Sequence, residues 1–192
     1  MTVPVDRAQL AAIRKPRGLP FRIGKLGHVV LHVADLERSV RFYVEVLGLE
    51  ISDVYGDDMM PGGMVFLRWN TDHHGIALIG GLRGPAENVE LNHLAFEVGS
   101  LDEVLRVREH LKAHDVQIDF DGRRRAGCQL AVEFRDPDNH RLEIYWGLDQ
   151  IGSDGVARPA AEWKGAPSIE AAIADPVRGQ DLSLSDPTLL KG

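Results

Sequence analysis

Two histidines and one glutamate in this sequence have the types and spacing to hold a divalent metal: His28, His93 and Glu143. Two neutral imidazoles and one carboxylate form a facial triad, which suits non-haem Fe(II) and leaves coordination positions open for a chelating substrate and O₂. Mn(II) or another divalent ion fits the same ligands, because donor type discriminates only weakly among these metals. The histidines stand at equivalent places in two similar segments. GHVVLHVADLE (27–37) set above NHLAFEVGSLD (92–102) puts His28 on His93, Val33 on Val98 and Leu36 on Leu101, an offset of 93 − 28 = 65. Glu143 lies in RLEIYW, where Leu142, Ile144 and Trp146 alternate with Arg141, Glu143 and Tyr145. A carboxylate between Leu and Ile in a strand is disfavoured and costly to bury without a cation.

The same offset, carried forward without a gap, sets MVFLRWN (64–70) over QLAVEFR (129–135) and IALIG (76–80) over RLEIY (141–145). Glu143 then falls on position 143 − 65 = 78, which is Leu78, so the first segment offers no fourth carboxylate. His74 lies four residues before Leu78 and faces the same way on a strand, which makes it the candidate acid or base; His73 points away. His32 and Glu97 are expected to line the site or pair with its ligands. His110, His114 and His140 fall on a polar helix face or a turn and receive no role.

The elements that must position these side chains follow from periodicity. Val29, Leu31 and Val33 alternate with His28, Val30 and His32, and Leu94, Phe96 and Val98 alternate with His93, Ala95 and Glu97. Each of these strands leads into a helix: Asp35 caps LERSVRFYVEVLG, closed by Gly48, and LDEVLRVREHLKAHD follows in the second copy. The turn AspProAspAsnHis (136–140) separates the last two strands. The expected fold is α+β, two βαβββ modules (about 26–82 and 91–147) pairing into a curled mixed sheet that forms a metal-binding cup. An N-terminal arm (1–25) and a C-terminal tail (148–192) flank it, and within the tail 167–174 has the makings of one short helix.

The whole-chain balance narrows the function class. A net charge of −7 over 192 residues argues against nucleic-acid binding, and Arg123-Arg124-Arg125 is too short a basic run to reverse that. A single cysteine, Cys128, excludes an internal disulfide and is read as a buried thiol. No stretch has the length and apolarity of a membrane span or a signal peptide, so a soluble cytoplasmic protein is expected.

LGHVVLHVADLERSVRFYVEVLGLEISD resembles the opening module of the vicinal oxygen chelate superfamily, which includes glyoxalase I, fosfomycin- and bleomycin-resistance proteins and type I extradiol dioxygenases. The resemblance covers about Leu26 to Gly147 and implies paired βαβββ modules with ligands at His28, His93 and Glu143. DHHGIALI, NHLAFEV and LEIYWG are similar to the catalytic module of extradiol catechol dioxygenases. That implies a small aromatic diol and O₂ as substrates, Fe(II) or Mn(II) as cofactor, and proton transfer by His74. Where those enzymes carry a further His and Tyr, this chain has ArgArgArgAlaGlyCys and Arg135; whether Arg124, Arg125 or Arg135 substitutes for them stays open, and the dioxygenase reading gives Arg124 or Arg125 the part of orienting a negative substrate group. Two other readings stay open: a lyase, isomerase or thiol transferase of the same superfamily, and a binding protein for aromatic ligands. A homodimer is expected, since such modules associate through sheet edges.

Overall fold

In the computed structural model, residues 5–190 are described apart from 15, 16, 18, 19, 21–23 and 154, so part of the arm expected over 1–25 lies outside the described residues. A short helix, α1 (Arg7–Ala11), is capped by the Asp6 side chain. The first module then runs β1 (Val29–His32), α2 (Leu36–Arg41), β2 (Glu50–Tyr55), β3 (Met64–Arg68) and β4 (Ile76–Ile79). The second runs β5 (Leu94–Glu97), α3 (Leu101–Ala113), β6 (Ile118–Arg123), β7 (Leu130–Arg135) and β8 (Arg141–Trp146). The two sheets have the same order, β1-β4-β3-β2 and β5-β8-β7-β6, with the first strand of each module parallel to its fourth. The expected mixed α+β fold of two repeated modules is present, as two separate four-stranded sheets that do not close into a barrel.

Alternation decides which face of each strand meets the core. Leu31 and Val33 are buried while Val30 and His32 are exposed, and β5 repeats the pattern with exposed Ala95 and Glu97. The buried faces join one hydrophobic cluster that draws on both modules, from Leu31, Tyr43 and Leu67 to Leu105, Val132 and Leu142. Asp35 caps α2 by accepting from the Arg38 amide at 3.0 Å, and Gly48 ends the segment at φ 74°. Between them, Phe42–Val46 widens into a π-turn that places the Tyr43 ring, with no exposure, against the second module.

The ladders correct the sequence register. Val29 to Leu94 is 94 − 29 = 65, as expected, but Val29 pairs with Ile76 and Leu94 with Leu142, and 142 − 76 = 66. The third strands drift further: Phe66 pairs with Ala77 and Glu133 with Glu143, so 133 − 66 = 67. One residue of slip in a strand reverses the face. The counterpart of Glu143 is therefore Ala77, on the open face, and Leu78 belongs to the core.

The turn at 136–140 fastens the modules together. Asp138, almost wholly buried, accepts from the Ala34 amide at 2.8 Å, from the Arg38 guanidinium at 2.9 Å and from the Ser39 hydroxyl, all in the first module. Asp136 accepts from the Tyr43 hydroxyl at 2.9 Å and from His140 through its amide and ring, both at 2.8 Å. His140, left without a role by the sequence, is thus part of the clamp. Ser39→Ala leaves the buried Asp138 carboxylate one donor short and is expected to cost about 1–2 kcal/mol. A urea midpoint lowered at unchanged slope checks this; an unchanged midpoint would mean the other two donors suffice.

The tail is bound to the second module. Helix α4 (Ile169–Ala174), capped by Ser168, packs on β6 and β7, and Ala166 bridges Arg123. A side chain at Gly122 would meet the Ala166 carbonyl oxygen at 2.4 Å, so the bridge needs glycine there. Arg123, 1% exposed, donates to the carbonyls of Lys164, Ala172 and Asp175 and to the side-chain oxygen of Gln180. Among the described residues, no helix is long and apolar enough to cross a membrane.

Candidate metal centre

The open face of the second sheet carries Ala95 and Glu97 on its first strand, with His93 just before it, and Arg141, Glu143 and Tyr145 on its neighbour, with Ala95 paired to Glu143. His93 Nε2 lies 3.2 Å from Glu143 Oε2. The Asn92 side-chain oxygen stands 2.9 Å from His93 Nδ1 and accepts its proton, which makes Nε2 the ring atom turned to the carboxylate. A cation between the two, a proton on Nε2 or a metal ion, satisfies this contact. Donors in adjacent octahedral positions at bond lengths of about 2.1 Å stand about 3 Å apart, close to what is seen here.

Glu143 is poorly compensated without that cation. Its side chain is 3% exposed, and one long hydrogen bond reaches it, donated by the Gln129 amide at 3.4 Å. Burial lifts its carboxyl above the usual range, against the Gln129 hydrogen bond and the field of His93, while Glu133 beside it pushes the same way as burial. The Gln129 side-chain oxygen is itself buried without a partner. Asn92 and Gln129 are site residues that the sequence reading passed over; the signal for Asn92 was its place next to His93, whereas Gln129 stands just before β7 and reaches Glu143 only through the fold.

The first module brings His28 together with His74, ring centroids 4.6 Å apart. His74 reaches the open face by its loop rather than by strand alternation, since β4 begins only at Ile76. Its ring packs on Phe66 at 5.0 Å, and His73, expected to point away, packs on Phe66 too, at 5.7 Å. The Nδ1 atoms of His73 and His74 are 3.0 Å apart and share a proton, leaving His74 Nε2 as the free atom. Burial and then the fields of His28 and His73 hold His74 below the ordinary histidine range, so it is neutral near pH 7 and able to accept a proton. His32 and Glu97 are exposed.

The structure thus forms two pairs, His28 with His74 and His93 with Glu143, and among the described residues no three His, Cys, Asp or Glu side chains gather into one group. Surroundings differ between the halves. The His93 half opens on a cleft of about 680 Å³ walled by Asp119, Arg124, Glu133, Arg135, Arg141 and Glu143. The His28 half is apolar, with Phe66, Met64 and Ala77 packed against Tyr55, Met60 and Ile79. Each half fits part of a metal centre: nitrogen donors above an aromatic floor, and a nitrogen–carboxylate pair within a charged wall.

A profile described as the Glyoxalase/Bleomycin resistance protein/Dioxygenase superfamily matches residues 25–144. The chain is 30% identical over 131 residues to a manganese-dependent 2,3-dihydroxybiphenyl 1,2-dioxygenase of Geobacillus genomosp. 3, a match covering 67% of this chain and 38% of that protein. It is 31% identical over 134 residues to a biphenyl-2,3-diol 1,2-dioxygenase of Paraburkholderia xenovorans, covering 68% and 44%. The chain spans less than half the length of either relative. Among solved structures, a glyoxylase/bleomycin resistance protein/dioxygenase domain from Frankia sp. EAN1pec superposes with a TM-score of 0.55 at 26% identity, covering 66% of this chain and 99% of that one. A fosfomycin resistance protein from Listeria monocytogenes, complexed with Mn(II) and sulfate, gives 0.53 at 25% identity, covering 66% and 92%.

Proposed function

Because this chain belongs to the glyoxalase, bleomycin resistance protein and dioxygenase superfamily, we propose that it is a divalent-metal dioxygenase of extradiol type, opening the ring of a catechol or related vicinal-diol aromatic with O₂. The observation that carries this reading is the pairing of His93 Nε2 with a buried, under-compensated Glu143, alongside a neutral His74 whose ring lies beside that of the proposed third ligand, His28. Fe(II) is the expected metal; the manganese dependence of one relative makes Mn(II) the alternative.

His28, His93 and Glu143 would hold the ion, which when bound supplies Lewis acidity toward two vicinal substrate oxygens and a route for electrons to O₂. Asn92 fixes the His93 tautomer by accepting from Nδ1. His74 Nε2 takes a proton from a substrate hydroxyl and holds it for return to the opened product, with His73 sharing the proton at Nδ1. Phe66 and the ring faces of His73 and His74 give the aromatic ring an apolar floor and keep water from it.

The two ligand pairs meet, in this proposal, when a second copy of the chain lays its His28 half over the His93 half of the first. What supports this is the separation of the pairs within one chain and the exposure of apolar Val30, on the open face beside His28, and of Leu91, next to Asn92 and His93.

The test is metal content of anaerobically purified protein together with O₂ uptake on catechol, 3-substituted catechols and 2,3-dihydroxybiphenyl. Near-stoichiometric iron or manganese with one O₂ consumed per ring opened is the expected result. The likeness to a Mn(II)-containing fosfomycin resistance protein favours a second reading, metal-dependent lyase, isomerase or transferase chemistry without O₂. Bound metal with no oxygen uptake on any diol would move the assignment there.

A further inference from the structure

The cleft beside His93 and Glu143 is walled by three arginines and three acids, yet their charges do not simply cancel. Arg124 lies over the Phe120 ring at 3.8 Å and grips Glu133 with two hydrogen bonds of 2.7 Å, donated from Nε and Nη2. Arg135 donates to Asp119 at 2.6 Å and to the Asn139 side chain at 2.6 Å. Both guanidiniums are committed. Arg141 is different: it is exposed, lines the cleft, and among the described residues the structure records no hydrogen bond or ion pair for its guanidinium. It also stands directly opposite Arg135 in the β7–β8 ladder, whose own charge Asp119 already meets, so Arg141 is the guanidinium of this wall left to meet an anion.

Once the closed pairs are set aside, Glu143 is the carboxylate and Arg141 the guanidinium that, among the described residues of the wall, have no oppositely charged partner from the arginines and acids around them. A divalent ion on Glu143 would leave one positive charge at the metal and another at Arg141. The site is then matched by a ligand with two negative charges, one at the metal and one farther along the strand. Arg141 and Glu143 lie two residues apart on one face of β8, about 7 Å, a spacing spanned by an aromatic ring with a short acidic substituent. We propose that this protein's substrate is an aromatic vicinal diol bearing a carboxylate, which Arg141 binds. The inference rests on the dioxygenase reading for the diol, but the carboxylate subsite stands on its own geometry. Arginine suits it because its planar fork meets a carboxylate through two parallel hydrogen bonds.

The experiment is calorimetric binding to the Mn(II)-loaded protein under argon, where no turnover intervenes, with 3,4-dihydroxyphenylacetate, 4-methylcatechol and the diol-free phenylacetate as probes. The carboxylated diol is expected to bind about 10- to 100-fold more tightly than 4-methylcatechol. In Arg141→Gln, checked as folded by its melting temperature, that ratio falls to about one, and Arg141→Lys keeps part of it. Equal affinities in the unaltered protein, or a preference that survives Arg141→Gln, would overturn the proposal. Arg141-dependent binding of phenylacetate in a protein that takes up no oxygen with any diol would support the carboxylate subsite while ending the dioxygenase reading.

Discussion

Glu143→Gln is expected to strip the protein of its metal and yet to raise the melting temperature of the metal-free form. The side chain is 3% exposed, and its carboxyl is lifted by burial with one 3.4 Å hydrogen bond from Gln129 to offset it. A buried charge so weakly partnered destabilises the apo protein, and an amide of the same shape removes that cost while still accepting from Gln129. Relief of about 1–2 kcal/mol corresponds to a few degrees in a chain of this size. Metal affinity moves the other way by roughly 100-fold or more, since loss of even a supporting residue around a metal costs 10- to 100-fold. Thermal melts with and without excess Mn(II) read both effects at once. The unaltered protein gains about 2.7 kcal/mol at a hundredfold excess over the dissociation constant, so its curve overtakes that of the variant as metal is added. A variant that melts lower without metal and keeps its metal shift would make Glu143 a structural residue and remove the centre's only carboxylate.

How much of this was legible depended on whether local pattern or register carried the information. Strand alternation around His28 and His93 and the cap at Asp35 are local, and the structure reproduces them. The placing of Glu143 on the open face is equally local, because Leu142 and Ile144 tie its neighbours to the core. The absence of a carboxylate opposite it in the first module was also readable, but at the wrong residue. Extra residues in the loops shift the later strands by one and two positions, and an ungapped offset assigns the buried Leu78 where Ala77 belongs. His74 was found by counting along a strand that has not yet begun at position 74, and the loop delivers it, with His73, to the same Phe66 ring. Long-range partnerships left no trace in the sequence. Arg123, Arg124 and Arg125 read as one basic run, but Arg123 is the buried anchor of the tail, and Arg124 belongs to Glu133. AspProAspAsnHis read as a turn, and its role as the clamp between modules needed the Tyr43 ring that the π-turn brings to it.

Co-expression of His28→Ala and Glu143→Ala chains is expected to restore metal binding that neither variant has alone. In a homodimer whose centres each draw His28 from one copy and His93 with Glu143 from the other, the mixed dimer concentrates both lesions in one centre. The second centre receives His28 from the Glu143→Ala chain and His93 with Glu143 from the His28→Ala chain, so it is intact. Mixed dimers isolated through two different affinity tags should therefore hold half the metal of the unaltered protein, against background levels in either parent dimer. A centre built within one chain predicts no rescue, since every copy then carries one lesion in its own triad. That result would require the two modules of one chain to swing His28 onto the His93–Glu143 pair, against the clamp that Asp136 and Asp138 make with Tyr43, Ser39 and Arg38. The clamp holds the modules through buried charges whose loss leaves unpaired groups in the interior, so such a swing would cost the chain stability.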